Sequence, residues 1–310
     1  MRILIIGGAG EVGRYLTHDF SRRGHEVTVL DRVPKPSGID EDFGSVYLQG
    51  NIIEGAAIRK AIQGKEVVIH LAWSFADDAQ TIFGEDIKGH IHLLDAASSC
   101  GIQSFIYASS ATVYGRAVSH PVTETHPCLI SEARKPLYAL GKYSAEELCL
   151  FYCKERKVPV TIFRFWWAFG ESIGGRHLRD LIRKALDGQR LEMVRGAGGA
   201  FLMMGDLGKA IQCAIGNPTA SGQIYNLGSL FLTWEEIGKM IVELTNSPTA
   251  VQPISSTEWH GPAFLNEIWD LSWKKAEREL GFKPAASPEK MRSLLMKALQ
   301  RTVDRVRREK

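Results

Sequence analysis

The opening stretch, Met1–Asp31, constrains the fold of this chain more than any other. Arg2–Ile6 is a short Ile-rich run, which is typical of a buried parallel strand. A glycine-rich turn follows, then an apolar-periodic helix that reaches Phe20, and then a second apolar strand, Glu26–Leu30, which ends at Asp31. A strand, a glycine turn, a helix, a strand and an acid in this order predict a βαβ unit of the kind that binds dinucleotides.

The glycine turn itself predicts how such a ligand is held. Gly7, Gly10 and Gly13 allow a tight turn and a close approach of the backbone to a pyrophosphate, which the following helix N-terminus favours. Asp31 stands where a carboxylate can accept bonds from the adenosine ribose and would repel a 2′-phosphate. We therefore expect NAD rather than NADP, although Arg32 follows directly and could soften that preference. The alternative is a purely structural βαβ turn.

Two later strand ends extend the predicted cofactor site. A strand at Ser45–Leu48 and another that ends near Leu71 both lead into short segments suited to face a ligand. The Asn51 amide could bond an adenine edge or could serve only a turn. Trp73 would wall the site or cap the core. The residues expected to contact the cofactor here are Asn51, Ile52, Leu71 and Ala72.

Composition narrows the classes of protein. The chain has 310 residues, 45% of them apolar and 24% charged, so it can bury a large core. A net charge of +3 is too small to indicate nucleic-acid binding. The five cysteines show no CxxC spacing, and no His/Cys cluster predicts a metal site. The sequence begins with a strand and has no apolar run long enough for a bilayer, so we expect a cytoplasmic protein with no membrane partner.

Strands and helices alternate as far as Gly170, which predicts an α/β fold with a doubly wound parallel Rossmann sheet. A helix is expected at Asp86–Ser99, a flexible turn at Gly196–Gly199, and a strand that returns to the sheet at Gln223–Leu227. We expect residues 1–170, with about 201–228, to form the NAD-binding domain. Residues about 171–200 and 229–310 are expected to form a smaller, interleaved substrate domain.

Tyr138 and Lys142 are the strongest candidates for chemistry. They lie four residues apart on a predicted helix, so their side chains share one face. An ammonium beside a phenol is expected to lower the tyrosine pKa from about 10 toward neutrality, which would make Tyr138 a general base for a hydroxyl or an acid for a carbonyl. Ser110, at a strand end, can hold the same oxygen. On spacing alone, the pair could also be a solvated helix face.

Several ordered segments together resemble the extended short-chain dehydrogenases/reductases, also called the NAD-dependent epimerase/dehydratase family, over nearly the whole chain. The resemblance implies a catalytic triad of Ser110, Tyr138 and Lys142, with Lys142 also holding the nicotinamide ribose of NAD. It further implies a homodimer formed through the helices that begin near Asp86 and Leu137. The matching segments are GGAGEVG, HLAW at His70–Trp73, SSATVYG at Ser109–Gly115, YALGK at Tyr138–Lys142, FRFWWAFG, YNLGS at Tyr225–Ser229 and the segment from Asp270.

Departures from the family pattern concern the substrate. Ala111 and Thr112 stand where dehydrating or decarboxylating members carry acids, which disfavours elimination. Trp167 replaces a usual Asn, and no arginine stands at Gly199–Phe201 or at His260 to hold a diphosphate. These departures predict a small sugar-like substrate without a nucleotide. The residues expected to contact it are Trp73, Ser110, Trp167 and His260.

Three functions follow as hypotheses. The first is an NAD-dependent oxidoreductase that oxidises a secondary alcohol of a sugar-like substrate and exchanges NADH. The second is a nucleotide-sugar 4-epimerase with tightly bound NAD, in which the ketone is reduced again. The third is a non-catalytic NAD(P) sensor, which the intact set of Ser110, Tyr138 and Lys142 disfavours.

Overall fold

The structure is a computed structural model that describes residues 1–36 and 45–309. The strands are, in chain order, β1 (Arg2–Ile6), β2 (Glu26–Asp31), β3 (Val46–Gln49), β4 (Val67–His70), β5 (Ser104–Ala108), β6 (Val160–Arg164), β7 (Trp167–Phe169), β8 (Leu191–Val194), β9 (Gly198–Met203), β10 (Gln223–Asn226), β11 (Leu230–Thr233), β12 (Val251–Ile254) and β13 (Ile268–Trp269). The α-helices are α1 (Glu11–Arg22), α2 (Gly55–Ile62), α3 (Ala79–Thr81), α4 (Lys88–Cys100), α5 (Pro136–Arg156), α6 (Arg176–Leu186), α7 (Met204–Ala214), α8 (Trp234–Thr245), α9 (Lys274–Leu280) and α10 (Pro288–Arg308).

The main sheet is parallel and has the strand order β10-β6-β5-β4-β1-β2-β3. The chain runs outward from β1 through β2 to β3, then returns to β4 on the other side of β1. The strand order therefore reverses between β1 and β4, which is where open α/β sheets bind ligands. The predicted doubly wound parallel sheet is confirmed, including β10 as its returning edge strand.

The central strand shows why the sheet forms. Ile3 and Ile5 pack into the apolar core on one face of the sheet, and Leu4 and Ile6 pack into the core on the other face. All four side chains are fully buried, as expected for a parallel strand covered by helices on both sides.

A further apolar core lies among α6, α8 and α10, around the buried Trp234. It is bordered by two small sheets, one with the order β11-β9-β13 and β7 paired to β9, the other formed by β12 and β8. The helix α8 opens with a capping box formed by Thr233 and Glu236. The proposed division into two domains stays a prediction.

Two local expectations differ from the structure. The turn expected at Gly196–Gly199 is shorter, because β9 already begins at Gly198, which pairs with Thr233. A Cβ at Gly199 would lie 2.3 Å from the Trp166 ring, so this glycine permits packing of the sheet rather than flexibility. The helix expected from Asp86 instead begins as a π-helical segment, Ile82–Ile87, which continues into α4.

Within residues 1–36 and 45–309, no helix is both long and apolar enough to cross a membrane. In the same ranges, no group of three or more His, Cys, Asp or Glu side chains is placed to hold a metal ion.

Candidate active site

The glycine turn between β1 and α1 is fixed by close packing. Gly7 has a φ of +84°, and a Cβ there would lie 2.6 Å from the backbone nitrogen of Ala72. A Cβ on Gly13 would lie 2.3 Å from the carbonyl oxygen of Gly7. A Cβ on Gly10, in contrast, would meet nothing closer than 3.5 Å. Gly7 and Gly13 are therefore required by the turn itself, whereas Gly10 leaves open space for a ligand.

A cleft of about 350 Å³ opens at the carboxyl ends of β1, β2 and β4, where the strand order reverses. Within the described part of the chain, Gly13 and the catalytic candidates Tyr138 and Lys142 are not among the residues that line it. The cleft brings together Gly7, Gly10, Asp31, Arg32, Asn51, Ile52, Leu71, Ala72 and Trp73.

Asp31 is held at the end of β2 by two backbone donors. Its carboxylate accepts the Ala9 N–H at 2.9 Å and the Val33 N–H at 3.2 Å. Arg32 points toward Glu85, 3.8 Å away, in an exposed ion pair. Asp31 lines the cleft, and the adjacent Arg32 is already paired with the Glu85 carboxylate. The negative charge of Asp31 therefore favours ribose hydroxyls over a phosphate as its ligand.

Asn51 and Ile52 form another wall of the cleft. The Asn51 side-chain oxygen accepts the Ile53 N–H at 3.2 Å, so this oxygen serves the turn. Ile52 packs against α4 at Gly89, where a Cβ would lie 2.4 Å from the Ile52 side chain.

These observations fit a dinucleotide. Gly10 leaves its backbone open at the N-terminus of α1, where a pyrophosphate is favoured, and Asp31 supplies acceptors for a ribose. Leu71 and Ala72 provide an apolar and partly exposed wall.

Ser110 and Tyr138 are brought together at the carboxyl end of β5. Ser110 is the N-cap of a short 3₁₀ turn, where its hydroxyl donates to the Thr112 hydroxyl at 3.1 Å. Ser110 also lies close enough to the Tyr138 phenol to lower its pKa. Tyr138 lies in the first turn of α5 and is only 7% exposed. The pairing of Ser110 with Tyr138 is that expected of a site that grips one substrate oxygen.

Lys142 lies one turn further along α5 and is buried. Its ammonium donates to the Ala108 carbonyl oxygen at 2.9 Å. It also lies 4.2 Å from the centre of the Trp73 ring and 4.9 Å from that of Tyr107. Lys142 is thus held by a backbone carbonyl and two aromatic rings.

The expected lowering of the Tyr138 pKa is wrong for this structure. Burial raises the pKa of Tyr138, and the nearby Ser110 offsets only part of that rise. Burial also lowers the pKa of Lys142 to about 7, against partial compensation from the carboxylates of Asp86 and Glu146. A shared helix face is therefore not sufficient to lower the pKa of Tyr138. Burial removes water from both Tyr138 and Lys142, so the charged form of each group is poorly solvated.

The helix α5 is anchored to the sheet by a buried ion pair. Glu146 and Arg164 are both almost fully buried, and the Arg164 Nε donates to Glu146 at 2.9 Å. Ser109, next to Ser110 in the chain, also donates to the Glu146 carboxylate. This pair fixes the spacing between α5, which carries Tyr138, and the end of β5, which carries Ser110.

A segment after β4 covers Tyr138, and the sequence reasoning missed it. The Phe75 ring stacks on the Tyr138 ring with centroids 5.7 Å apart and an angle of 11°. Phe75 has a φ of +58°, and its carbonyl accepts from Lys135 at 2.8 Å. Asp77 accepts the backbone N–H of Tyr138 at 3.0 Å. The sequence signal was an aromatic residue close after a cofactor strand, but its unusual backbone conformation could not be foreseen.

Asp86 has a defined role in the same region. Its carboxylate accepts from both the backbone N–H and the hydroxyl of Ser74. Burial raises the pKa of Asp86, and the bonds from Ser74 work against that rise. Asp86 therefore ties the segment after β4 to the π-helical turn.

The predicted substrate residues do not all converge. Trp73 lines the cofactor cleft and packs on Lys142. Trp167 is half-buried among other aromatic rings, with Phe201 at 5.9 Å and Phe264 at 5.3 Å between ring centroids. His260 is exposed. The aromatic rings around Trp167 pack on one another, and the substrate contacts expected of Trp167 and His260 stay a prediction.

Comparison with known proteins identifies the family. The model for the "NAD dependent epimerase/dehydratase family" matches residues 3–228. The chain belongs to this family and is an enzyme of that family.

Similar proteins include a UDP-N-acetyl-alpha-D-glucosaminuronate decarboxylase of Bacillus cytotoxicus, 28% identical over 81% of this chain and 82% of that protein. A UDP-glucose 4-epimerase of Erwinia amylovora is 29% identical over 52% of this chain and 51% of that protein. A short-chain dehydrogenase/reductase superfamily protein from Agrobacterium tumefaciens, solved with bound NAD, has a TM-score of 0.77 at 23% identity, covering 100% of this chain and 98% of that one.

Proposed function

We propose that this chain is an NAD-dependent oxidoreductase that oxidises a secondary alcohol of a sugar-like substrate. Tyr138 transfers the proton of that alcohol. The observation that carries this proposal is the placement of α5, with Tyr138 and Lys142 one turn apart, against the carboxyl end of β5, where Ser110 stands and where Lys142 donates to the Ala108 carbonyl. Two hydroxyls that meet at one point can hold one substrate oxygen. Lys142 on the same helix and the cofactor cleft at the same sheet edge complete the set.

The proton chemistry follows from the environment of these residues. Because burial raises the pKa of Tyr138, the phenol keeps its proton at neutral pH and is suited to donate it to a carbonyl oxygen. Oxidation requires Tyr138 to accept a proton from the substrate hydroxyl, so the phenol must first lose its own. Lys142 lies one turn along the same helix, and in its charged form it favours the phenolate that this step needs. Bound NAD supplies the acceptor for the hydride.

The names of the similar proteins extend the substrate class to nucleotide sugars. Both curated relatives described above carry a UDP-sugar in their names. A 4-epimerase is the second candidate function, because Ala111 follows Ser110 directly and offers no acid for elimination at that position. In an epimerase the same Tyr138 would return its proton to the oxygen after the ketone has turned over.

One assay separates the two candidates. The protein is incubated with NAD and, in turn, UDP-glucose, UDP-galactose and the free sugars. An oxidoreductase accumulates NADH, measured at 340 nm, in proportion to substrate consumed. A 4-epimerase interconverts the two UDP-sugars, followed by NMR, without net NADH. If neither signal appears with any of these compounds while NAD binds, hydride transfer on this substrate class is excluded.

We also propose that the chain forms a homodimer through α4 and α5. Leu140 and Phe151 on α5 are 37% and 53% exposed, and Phe83 beside α4 is 41% exposed. Such a row of large exposed apolar side chains is typical of an interface. We expect light scattering after size exclusion to give a dimer, and Phe151→Glu to give a monomer. Val118→Glu, at an exposed apolar residue elsewhere, should leave the dimer intact, and a monomeric wild type would contradict the proposal.

A further inference from the structure

A cavity much smaller than the cofactor cleft lies beside Thr112, two residues after Ser110 in the chain. Its volume is about 20 Å³, which is enough for one water molecule or one hydroxyl group. It is lined by Thr112, Gly115, Arg134, Trp166, Glu267 and Trp269.

The cavity is connected to the catalytic hydroxyls through one side chain. Thr112 lines the cavity, and its hydroxyl accepts from Ser110 at 3.1 Å. Ser110 in turn lies beside the Tyr138 phenol, whose pKa it lowers. A substrate whose reacting oxygen lies on Ser110 and Tyr138 therefore has another part of its ring close to this cavity.

Glu267 supplies a carboxylate that the sequence pattern does not place at the site. One of its oxygens accepts from the Trp269 indole N–H at 2.7 Å, and the other lies 3.3 Å from the Arg134 Nε. Its side chain is only 25% exposed, and burial raises its pKa. The acid comes from the segment before β13, far along the chain from Ser110.

Arg134 is held in place from two sides. Besides its ion pair with Glu267, its guanidinium lies 4.5 Å from the centre of the Phe264 ring. It stands just before α5 in the chain, so it links the catalytic helix to the segment that carries Glu267. Because its charge is already matched by Glu267, the pair presents no net positive charge to a substrate.

We propose that Glu267 and Arg134 select the sugar, because this cavity binds a neutral hydroxyl group and excludes a carboxylate. The Glu267 carboxylate accepts the hydroxyl, Arg134 fixes the carboxylate, and the cavity has room for a single oxygen. A uronic acid would place a second carboxylate beside Glu267 with no unmatched cation to offset the repulsion. The substrate class is thus a neutral hexose rather than a uronate, an inference that rests on the proposed function.

The test measures binding of three probes to the protein saturated with NAD, by calorimetry. The probes are UDP-glucose, UDP-glucuronate and UDP alone. We expect the wild type to bind UDP-glucose at least about tenfold more tightly than UDP-glucuronate. UDP-glucose gains a charge-assisted hydrogen bond to Glu267, whereas the carboxylate of UDP-glucuronate is repelled by Glu267. Glu267→Gln should abolish or reverse this preference, because Arg134 then carries an unmatched positive charge, with the affinity for UDP unchanged. Glu132→Gln, which removes an exposed carboxylate paired with Arg116, is the matched control and should keep the wild-type ratio.

Arg134→Gln is a second variant, and it should change the ratio of the two affinities in the opposite direction. Without its cation, Glu267 repels a uronate more strongly, so the preference for UDP-glucose should increase. Equal ratios in the wild type and Glu267→Gln, tighter wild-type binding of UDP-glucuronate, or no binding of either sugar would each overturn the proposal. Absorbance at 340 nm in the same samples separates it from the proposed function. A ratio that shifts in Glu267→Gln without any hydride transfer by the wild type would refute the function and leave the selection intact.

Discussion

Tyr138→Phe should lower turnover about a thousandfold, since a positioned acid–base group contributes about a hundred- to ten-thousandfold. The substitution removes one oxygen and keeps the ring, so the stack with Phe75 is preserved. It also removes a hydroxyl that lies beside Ser110, so the free energy of unfolding should change by no more than about 1 kcal/mol. The measurement is the steady-state rate with the substrate that turns over in the assay described above.

The affinity for NAD should stay within about threefold of the wild type in this variant, because Tyr138 does not line the cofactor cleft in the described residues. Tyr143→Phe is the control. Tyr143 is a half-buried tyrosine on the same helix, and within the described residues no hydrogen bond joins it to Ser110. It should retain wild-type turnover. Full activity of Tyr138→Phe would show that another group moves the proton, and both candidate mechanisms would then fail.

The parts of the site that the sequence predicted correctly depend on local geometry. The positions of Gly7 and Gly13 follow from a tight turn, and Asp31 follows from the length of one βα unit. The shared face of Tyr138 and Lys142 follows from the period of a helix. In each case, neighbours in the chain determine the contact, so spacing is enough.

The parts that the sequence did not predict depend on contacts between distant segments. The pKa of Tyr138 is set by burial under a segment that precedes it by a whole helix and strand, and spacing carries no information on that burial. Glu267 reaches Arg134 only because β13 pairs with β9 beside the end of α5. Gly198 enters a strand because Thr233 in β11 pairs with it.

The same long-range burial gives Lys142 an unusual effect on stability. Folding lowers the pKa of Lys142 from 10.5 to about 7, because burial destabilises the charged ammonium. At pH 7 this lowers the free energy of unfolding by at most roughly 4 kcal/mol. Replacing it by methionine, which has similar length and no charge, removes that cost. The variant leaves the Ala108 carbonyl without its donor, a loss of about 1–3 kcal/mol. We therefore expect Lys142→Met to be more stable than the wild type by about 1–3 kcal/mol at pH 7 and to lose turnover.

The dependence on pH supplies the check on this explanation. Between pH 7 and 10.5 the unfolded chain binds a proton on Lys142 that the folded chain has released, so the stability of the wild type rises with pH in that window relative to the variant. Urea unfolding at pH 7 and pH 9 should show the advantage of Lys142→Met shrinking by roughly 2 kcal/mol. Lys154→Met, at a lysine whose side chain is 83% exposed, should show no such trend. A Lys142→Met protein that is less stable than the wild type at pH 7, or whose advantage grows toward pH 9, would mean that the buried amine is charged and well compensated in the folded state.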